Sequence, residues 1–344
     1  MTLPVSQSRE ADVEFEPVTA AAVPPSVETF RTRQLPLAGL IVVLLAALPF
    51  VASASAVSTL NRILALALLA VSLDLLVGVG GLPSLGHAAP FGVGAYAAAL
   101  TAKKLSTVAP VQLLIAVAAG AVFSALVGWL VVRTRGTYLI MLTLAVAELT
   151  RTLADRWDAV TGGSNGLVGI PSATLVPGGE PVTLAGYRYW YLLAVAVVAF
   201  GLVVVVSRSA FGRSLRGIRD NEQRMGSLGY STFRVKFTVF VLAGAVAGAA
   251  GSLWVVQQRF VSPADLGFDV SALTLLAVII GGRGSLWGAV LGAGLVVVLR
   301  DEIGSNLGGR GTLLLGLAFI AAVFLLPRGF AGVRLPGRRK GQST

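Results

Sequence analysis

The residue types that could do chemistry are few in this chain. It has one histidine, no cysteine and 16 acidic residues among 344. Without cysteine there is no disulfide, no thiolate nucleophile and no cysteine metal site, and one histidine cannot build a histidine cluster for a metal. The phosphate-binding run GxxxxGK[ST] is also absent from the sequence. The sequence therefore predicts no catalytic site, no metal and no cofactor, so that any ATP is hydrolysed by another chain.

Three ionisable side chains nevertheless stand in apolar surroundings. Asp74 and Glu148 lie inside apolar runs, where a charge is costly unless it faces the bundle interior or water. Each carboxylate either lines a transport pathway or makes a polar contact between helices, and the pattern favours the second interpretation. Glu148 also fits a position at the membrane interface. His87 has the same two interpretations, as a pathway residue or, by preference, a hydrogen-bonded packing residue.

The longest polar segment in the second half of the chain is Arg208–Lys236. On a helix its apolar residues share one face and its charged residues share the other. The apolar face holds Phe211, Leu215, Ile218, Met225 and Leu228, and the polar face holds Arg213, Arg216, Asp220, Gln223 and Arg224. Such an amphipathic helix fits the docking of a soluble partner. The alternative is a solvated loop that follows the positive-inside rule.

A membrane-embedded scaffold must position these residues. Hydrophobic residues make up 55% of the chain and charged residues 12%, whereas soluble domains carry about 25% charged residues. Several apolar runs approach the roughly 20 residues that a helix needs to cross a bilayer. The sequence thus predicts an all-α polytopic membrane protein with about ten transmembrane or re-entrant helices. The net charge of +11 lies at the ends of apolar runs, which indicates topology and anionic lipid rather than nucleic acid.

The chain divides into three predicted regions. Residues 1–34 are polar, acidic and proline-containing, which is typical of a disordered cytoplasmic tail without a signal peptide. Residues 35–327 form the transmembrane domain, and residues 328–344 form a basic cytoplasmic tail. With both termini and the polar segment inside, about two thirds of the Lys and Arg residues fall on the cytoplasmic side. The weak point is Ser271–Ile280, whose length of about 15 Å leaves open two crossings or a re-entrant break.

Two glycine-rich breaks interrupt the apolar runs, at Gly80–Pro90 and at Gly281–Gly284. Their sequences GGLPSL and GGRGSL match at four of six positions. Paired breaks in two halves indicate a transport pathway, because irregular backbone at membrane depth must line a cavity or be buried in protein. Chance recurrence in a chain with 41 glycines is the alternative. The predicted pathway residues are Gly81, Ser84, His87, Gly282, Arg283 and Ser285.

Small residues recur at spacings of four in AGAVAGAAGS (Ala243–Ser252) and WGAVLGAGL (Trp287–Leu295). Such residues let helix backbones approach closely in a bilayer, where lipid gives helices no hydrophobic reason to associate. Both segments are therefore predicted to pack tightly on neighbouring helices.

Several segments together resemble the second, longer permease subunit of bacterial branched-chain amino acid ABC importers. The resemblance covers about Leu60 to Asp301, and its motifs occur in the family's order. The segments are SLGHAAPFGVGAYAAAL (Ser84–Leu100), RGTYLIMLTLAVAEL (Arg135–Leu149), TGGSNGLVGIP (Thr161–Pro171), FGRSLRGIRDNEQRMGSLGYSTFRVK within the polar segment, and GGRGSLWGAVLGA (Gly281–Ala293).

The resemblance implies packed helices without an enzymatic site, in a bacterial cytoplasmic membrane. It implies a second permease subunit, two ATP-binding subunits and an extracytoplasmic binding protein. The polar segment falls where such permeases have their coupling helix, with Glu222 and Gly229 at the motif's acidic residue and glycine. Arg224 and Met225 stand where the family often has paired small residues, so the groove or the docking angle differs. The predicted contacts to the ATPase are Arg216, Ile218, Arg219, Asp220, Glu222 and Gly229.

The function implied by the resemblance is ATP-driven import of branched-chain, hydrophobic amino acids. An ABC permease of the same type for urea or short amides is one alternative, because a permease sequence gives little information on its substrate. A secondary transporter driven by an ion gradient is another. Such carriers usually keep acidic residues at their midplane breaks, and both breaks lack Asp and Glu along the chain. A membrane scaffold without transport would leave the two breaks unexplained.

Overall fold

The structure is a computed structural model that describes residues 42–50, 52–176, 179, 185–303, 316, 317 and 320. The chain divides into two compact units, Met1–Leu45 and Ala46–Thr344. Residues 42–45 are the described part of the first unit, and they are helical. The predicted tails at residues 1–34 and 328–344 lie outside the described residues.

Helices dominate the described part of the second unit. Those of six residues or more are α1 (Ala54–Asp74), α2 (Ala88–Lys104), α3 (Ala109–Val131), α4 (Thr137–Arg156), α5 (Ala185–Arg208), α6 (Ala210–Asp220), α7 (Glu222–Ser227), α8 (Thr232–Gln258), α9 (Phe268–Gly281) and α10 (Leu286–Val297). π-Helical turns extend α1 through Leu75–Val79 and α10 through Val298–Ile303. The only β-pairing among the described residues is two isolated bridges. The prediction of an all-α protein is thus confirmed.

Five described helices are long and apolar enough to cross a membrane: Ala54–Val79, Ala109–Val131, Thr137–Arg156, Gly186–Arg208 and Thr232–Gln258. Helix α9 is equally apolar but has 14 residues, which corresponds to about 21 Å. Five spans are thereby defined in the described part of the chain, and the count of about ten stays a prediction.

Helices α1 and α8 form the centre of the bundle, because 72% of each span is buried, whereas 28% or less of α3, α4 and α5 is buried. The exposed faces of the outer helices carry large apolar side chains, for example Leu126 on α3, Tyr138 on α4 and Leu202 on α5. Apolar surface of this extent is unusual on a soluble monomer. It is expected where helices face lipid or partner subunits in a membrane.

Close glycine contacts hold the central helices together, as predicted for both small-residue segments. A methyl group added at Gly248 of α8 would clash with the backbone of α3, and one added at Gly94 of α2 would clash with Gly248 itself. In the second segment, Gly288 of α10 lies against Gly281 of α9, and Gly292 lies against Ala277. Helices α9 and α10 therefore form an antiparallel hairpin, with residues 282–285 at its tip.

Candidate functional site

The end of α1 meets the tip of the α9–α10 hairpin. The backbone N–H of Gly284 donates a hydrogen bond of 2.8 Å to Asp74 Oδ1, and Asp74 is fully buried. Gly78 packs so closely here that an added methyl group would clash with both the Asp74 carboxylate and the Gly284 backbone. The interruptions that follow α1 and α9 therefore touch each other in space. We call Asp74, Gly78, Gly81, Arg219 and Gly284 the Gly78 junction.

Local backbone geometry explains how these groups meet. The last turn of α1 is π-helical over Leu75–Val79, a wider form that occurs mostly as single turns and often at functional sites. In the hairpin tip, Gly282 has φ +100° and Gly284 has φ +84°, conformations that glycine adopts with little strain. This turn presents the Gly284 N–H to the carboxylate of α1.

The polar segment forms two helices rather than the predicted single one. Asn221 is extended, with φ −157° and ψ 98°, and its side chain accepts a hydrogen bond of 2.9 Å from the Arg224 N–H. Asparagine in this role caps the start of a new helix, so α6 ends at Asp220 and α7 begins at Glu222. Leu215 and Ile218 are buried as predicted, whereas Leu228 is 67% exposed. The prediction of one continuous apolar face is therefore wrong beyond α6.

Arg219 connects α6 to the Gly78 junction. Its Nη1 donates a hydrogen bond of 2.6 Å to the carbonyl oxygen of Gly78. Its aliphatic stem covers Gly81 so closely that a methyl group on Gly81 would clash with it. Asp220 accepts a further hydrogen bond from Arg219 Nε at 3.1 Å. The polar segment is thus bound directly to the backbone at the end of α1.

Glu222 forms salt bridges with two basic residues of the same chain. Its Oε2 lies 2.7 Å from Lys236 Nζ and 3.3 Å from Arg135 Nε. The Lys236 side chain is buried, and a buried charge is strongly destabilising without a partner. Glu222 therefore fixes α7 to the start of α8 and to the connection between α3 and α4.

The other predicted ATPase contacts have different surroundings. Arg216 donates a hydrogen bond to the Ser207 carbonyl at 2.8 Å, and Ile218 is buried on the inner face of α6. Asp220 is exposed. Gly229 is also exposed, at φ +87°, where it closes α7 in a Schellman motif through the bond from Tyr230 N–H to Met225 C=O. Three of the six are therefore exposed, namely Arg219, Asp220 and Gly229, although each also makes a hydrogen bond within the chain.

Among the six predicted pathway residues, Ser285 N–H donates to the Gly282 carbonyl at 3.1 Å within the hairpin tip. No hydrogen bond in the described structure joins the residues of the first break to those of the second. His87 is buried, with Nε2 at 2.8 Å from Ser72 Oγ, and buried Ser84 accepts from Gly86 N–H at 3.3 Å. Ser285 caps α10 by accepting from Gly288 N–H. Gly282 is buried, whereas Gly81 and Arg283 are exposed. The packing interpretation of His87 fits this geometry.

Both carboxylates in apolar runs make contacts between elements, as their favoured interpretation predicted. Asp74 joins α1 to the hairpin tip. Glu148 pairs with Arg151 at 2.8 Å and accepts from Phe268 N–H at 3.3 Å, which joins α4 to the start of α9. Gly78 and Gly284 were missed from the sequence. The position of Gly78 could have indicated it, because it lies one helical turn after Asp74 and directly before the first glycine-rich break.

No group of three or more His, Asp or Glu side chains in the described part of the chain is arranged to hold a metal ion. Chemically, the Gly78 junction offers backbone donors and acceptors, one buried carboxylate and one guanidinium. This is a set of groups suited to holding elements together rather than to bond making or breaking.

Comparisons with known proteins agree with this picture. A family model described as "Branched-chain amino acid transport system / permease component" matches residues 55–326. The high-affinity branched-chain amino acid transport system permease protein LivM of Escherichia coli is 32% identical over 93% of this chain and 81% of its own length. LivM of Salmonella typhimurium is 31% identical with the same coverage, and BraD of Pseudomonas aeruginosa is 26% identical over 77% of this chain and 91% of its own length. No solved structure gives a significant match.

Proposed function

Because the chain belongs to the family of branched-chain amino acid transport system permease components, we propose that it is the membrane-spanning permease subunit of an ATP-driven importer of branched-chain amino acids. The family match confirms the resemblance found in the sequence. The similarity to two LivM permeases over 93% of the chain supports the substrate class over urea or short amides.

The proposed importer contains this chain with about ten transmembrane or re-entrant helices and both termini in the cytoplasm of a bacterial inner membrane. Its other components are a second permease subunit, two ATP-binding subunits and an extracytoplasmic binding protein. This chain is a transport subunit, and ATP hydrolysis belongs to the ATP-binding partners. The five apolar spans and the distribution of Lys and Arg support this arrangement.

One observation supports the mechanism most strongly: Arg219 of α6 donates to Gly78, where α1 meets the hairpin tip. A displacement of α6 by a docked ATPase would therefore act directly on the backbone at both interruptions. ATP binding and hydrolysis would bias a two-state permease through this contact, provided that the ATPase binds the two states with different affinity.

The exposed side of α6 and α7 is the proposed docking surface. Arg213, Asp220 and Arg224 are exposed there, and Gly229 lies at its edge with open space around it. Three further side chains are expected to support this surface without contacting the ATPase directly. They are Ile218, which is buried, and Arg216 and Glu222, which are bonded within the chain.

The direct test is uptake by proteoliposomes that contain the assembled importer. Leucine uptake should require the binding protein outside and ATP inside, and it should persist when ionophores collapse the proton and sodium gradients. This control matters because Asp74, although distant from Gly284 in sequence, lies against it in the structure, so the absence of acidic residues along the breaks does not exclude ion coupling. Gradient-driven uptake without the ATP-binding subunits would contradict the proposal.

The orientation has its own test, because the natural chain has no cysteine. Ser106→Cys and Ser209→Cys should react with membrane-impermeant maleimides from opposite sides of the membrane. Ser209 caps α6, so its side reports the side of the polar segment. Labelling of both cysteines from one side would overturn the cytoplasmic placement of α6.

A further inference from the structure

A cavity of about 200 Å³ lies beside the N-terminal half of the span Ala54–Val79, at Arg62 and Leu66, and we call it the Arg62 cavity. Part of its wall is apolar, from Leu66, Phe91, Trp254, Val270 and Leu273. The rings of Phe91 and Trp254 meet edge to face at 6.2 Å. The wall also contains charged side chains, from Arg62, Asp265, Asp269, Arg300 and Asp301. Basic and acidic side chains therefore border the same apolar cavity.

The cationic part of the wall has unused hydrogen-bond donors. Arg62 Nη1 pairs with Asp301 Oδ2 at 3.0 Å, but a guanidinium has five N–H donors. The Arg62 side chain is 33% exposed, so guanidinium N–H groups that are not directed at Asp301 remain accessible to a ligand. A carboxylate is the group that a guanidinium pairs with best.

Besides Asp301, the wall contains two carboxylates with different roles. Asp265 accepts from Ser262 N–H at 2.8 Å, and burial raises the pKa of its carboxyl group, although these hydrogen bonds oppose the rise. Asp269 is exposed, and none of the described residues donates a hydrogen bond to it. Asp269 is therefore the carboxylate that remains available to a cationic group of a ligand.

We propose that the Arg62 cavity binds a zwitterionic amino acid with a branched apolar side chain, its carboxylate at Arg62, its ammonium at Asp269 and its side chain against Phe91, Trp254 and Val270. A cavity of about 150 Å³ lined by apolar side chains admits benzene, so this cavity suits a single small amino acid. The inference rests on the proposed function and deepens it, since it places a recognition site in the permease subunit itself.

Binding can be measured without the binding protein. Saturation-transfer NMR on the assembled importer in nanodiscs, with leucine as the probe, should detect binding to the wild-type complex. Val270→Phe fills the cavity and should abolish the leucine signal. The matched control is Val198→Phe, at a side chain on α5 that is 63% exposed, which should retain it.

The charge requirement is tested with two leucine analogues. The compounds 4-methylpentanoate and 3-methylbutylamine each keep the branched side chain but lack one of the two charges. Neither should displace leucine, whereas isoleucine and valine should displace it. Displacement of leucine by either analogue at equal concentration would show a merely apolar pocket and would overturn the proposal.

A second variant keeps the test decisive if the Val270→Phe complex fails to assemble. Val270→Ala enlarges the cavity and should shift binding toward phenylalanine relative to leucine. If the wild type gives no leucine signal, or if Val270→Phe and Val198→Phe give equal signals, the inference fails while ATP-driven leucine uptake still supports the proposed function. If the complete wild-type importer takes up no leucine, the proposed function fails instead.

Discussion

Two regions along α1 differ in how they are built. At the Gly78 junction one carboxylate and one guanidinium bind backbone groups of glycines, and even a methyl group at Gly78 would not fit. At the Arg62 cavity the contacts run through charged side chains around about 200 Å³ of space. A tightly packed backbone junction can transmit a displacement but has no room for a ligand, whereas a cavity with two signs of charge can discriminate ligands.

This contrast gives a rule for mutants. Changes at the Gly78 junction should alter the uptake of every substrate by the same factor, because they act on the transition between states. Changes at the Arg62 cavity should alter the uptake of one amino acid relative to another. The predictions below test this rule, from the largest expected effect to the smallest.

The largest effect is expected for Gly78→Val. The added side chain would overlap with the Asp74 carboxylate and the Gly284 backbone, and overpacking of this kind costs about 1–3 kcal/mol. ATP-driven uptake of leucine and of valine should each fall by about tenfold or more. Gly201→Val on α5, where an added Cβ meets nothing within 4 Å, is the control and should retain uptake. Equal uptake by both variants would contradict the close packing.

Asp74 tests the bond between α1 and the hairpin tip. Asp74→Leu removes the acceptor of the Gly284 N–H, and an unsatisfied buried donor costs about 1–3 kcal/mol. The midpoint temperature of unfolding and the uptake rate should both fall. Asp74→Asn keeps a carbonyl oxygen as acceptor and should retain most of both properties. If Asn and Leu behave alike, the carboxylate has a role other than this hydrogen bond.

Glu222→Arg places a third cation beside Arg135 and Lys236. Because Lys236 is buried, the variant should loosen α7 and lower ATPase activity coupled to transport while the protein remains in the membrane. The control is Thr152→Arg, at an exposed position of α4 outside the docking surface, which should leave coupling near the wild-type value. Unchanged coupling in Glu222→Arg would count against the role given to this segment.

Arg219→Ala is expected to have a smaller effect, since the Arg219 side chain is partly exposed. Loss of its hydrogen bond to Gly78 should lower leucine uptake per ATP hydrolysed by about fivefold. Arg156→Ala at the end of α4 removes an equal charge from an exposed position outside the docking surface and should change this ratio little. A similar ratio in both variants would remove the argument for transmission through Arg219.

Local sequence patterns predicted much of this fold. The apolar runs predicted the five described spans. Small residues at spacings of four predicted close packing of the segment that contains Gly248, which contacts α2 and α3. The shared GG..SL pattern located both places where helices are interrupted near the junction. These features depend on residues close together in the chain, which a sequence shows directly.

Contacts between distant parts of the chain were not predictable in the same way. Asp74 and Gly284 are 210 residues apart, and only the antiparallel packing of α10 on α1 brings them together. The break at Asn221 was missed because the apolar spacing continues through it, while the capping bond of its side chain ends the helix. The charged residues of the Arg62 cavity come from four separate segments, and no local pattern connects them.

The ratio of leucine uptake to valine uptake tests the contrast between the Gly78 junction and the Arg62 cavity most directly. It is measured in the complete importer for Arg219→Ala and Val270→Phe, each relative to wild type, which cancels the preference of the binding protein. The ratio should stay at the wild-type value in Arg219→Ala although total uptake falls. It should drop in Val270→Phe, because the larger side chain of leucine loses more room. A change in the ratio for Arg219→Ala, or an unchanged ratio for Val270→Phe, would contradict the separate roles of the Gly78 junction and the Arg62 cavity.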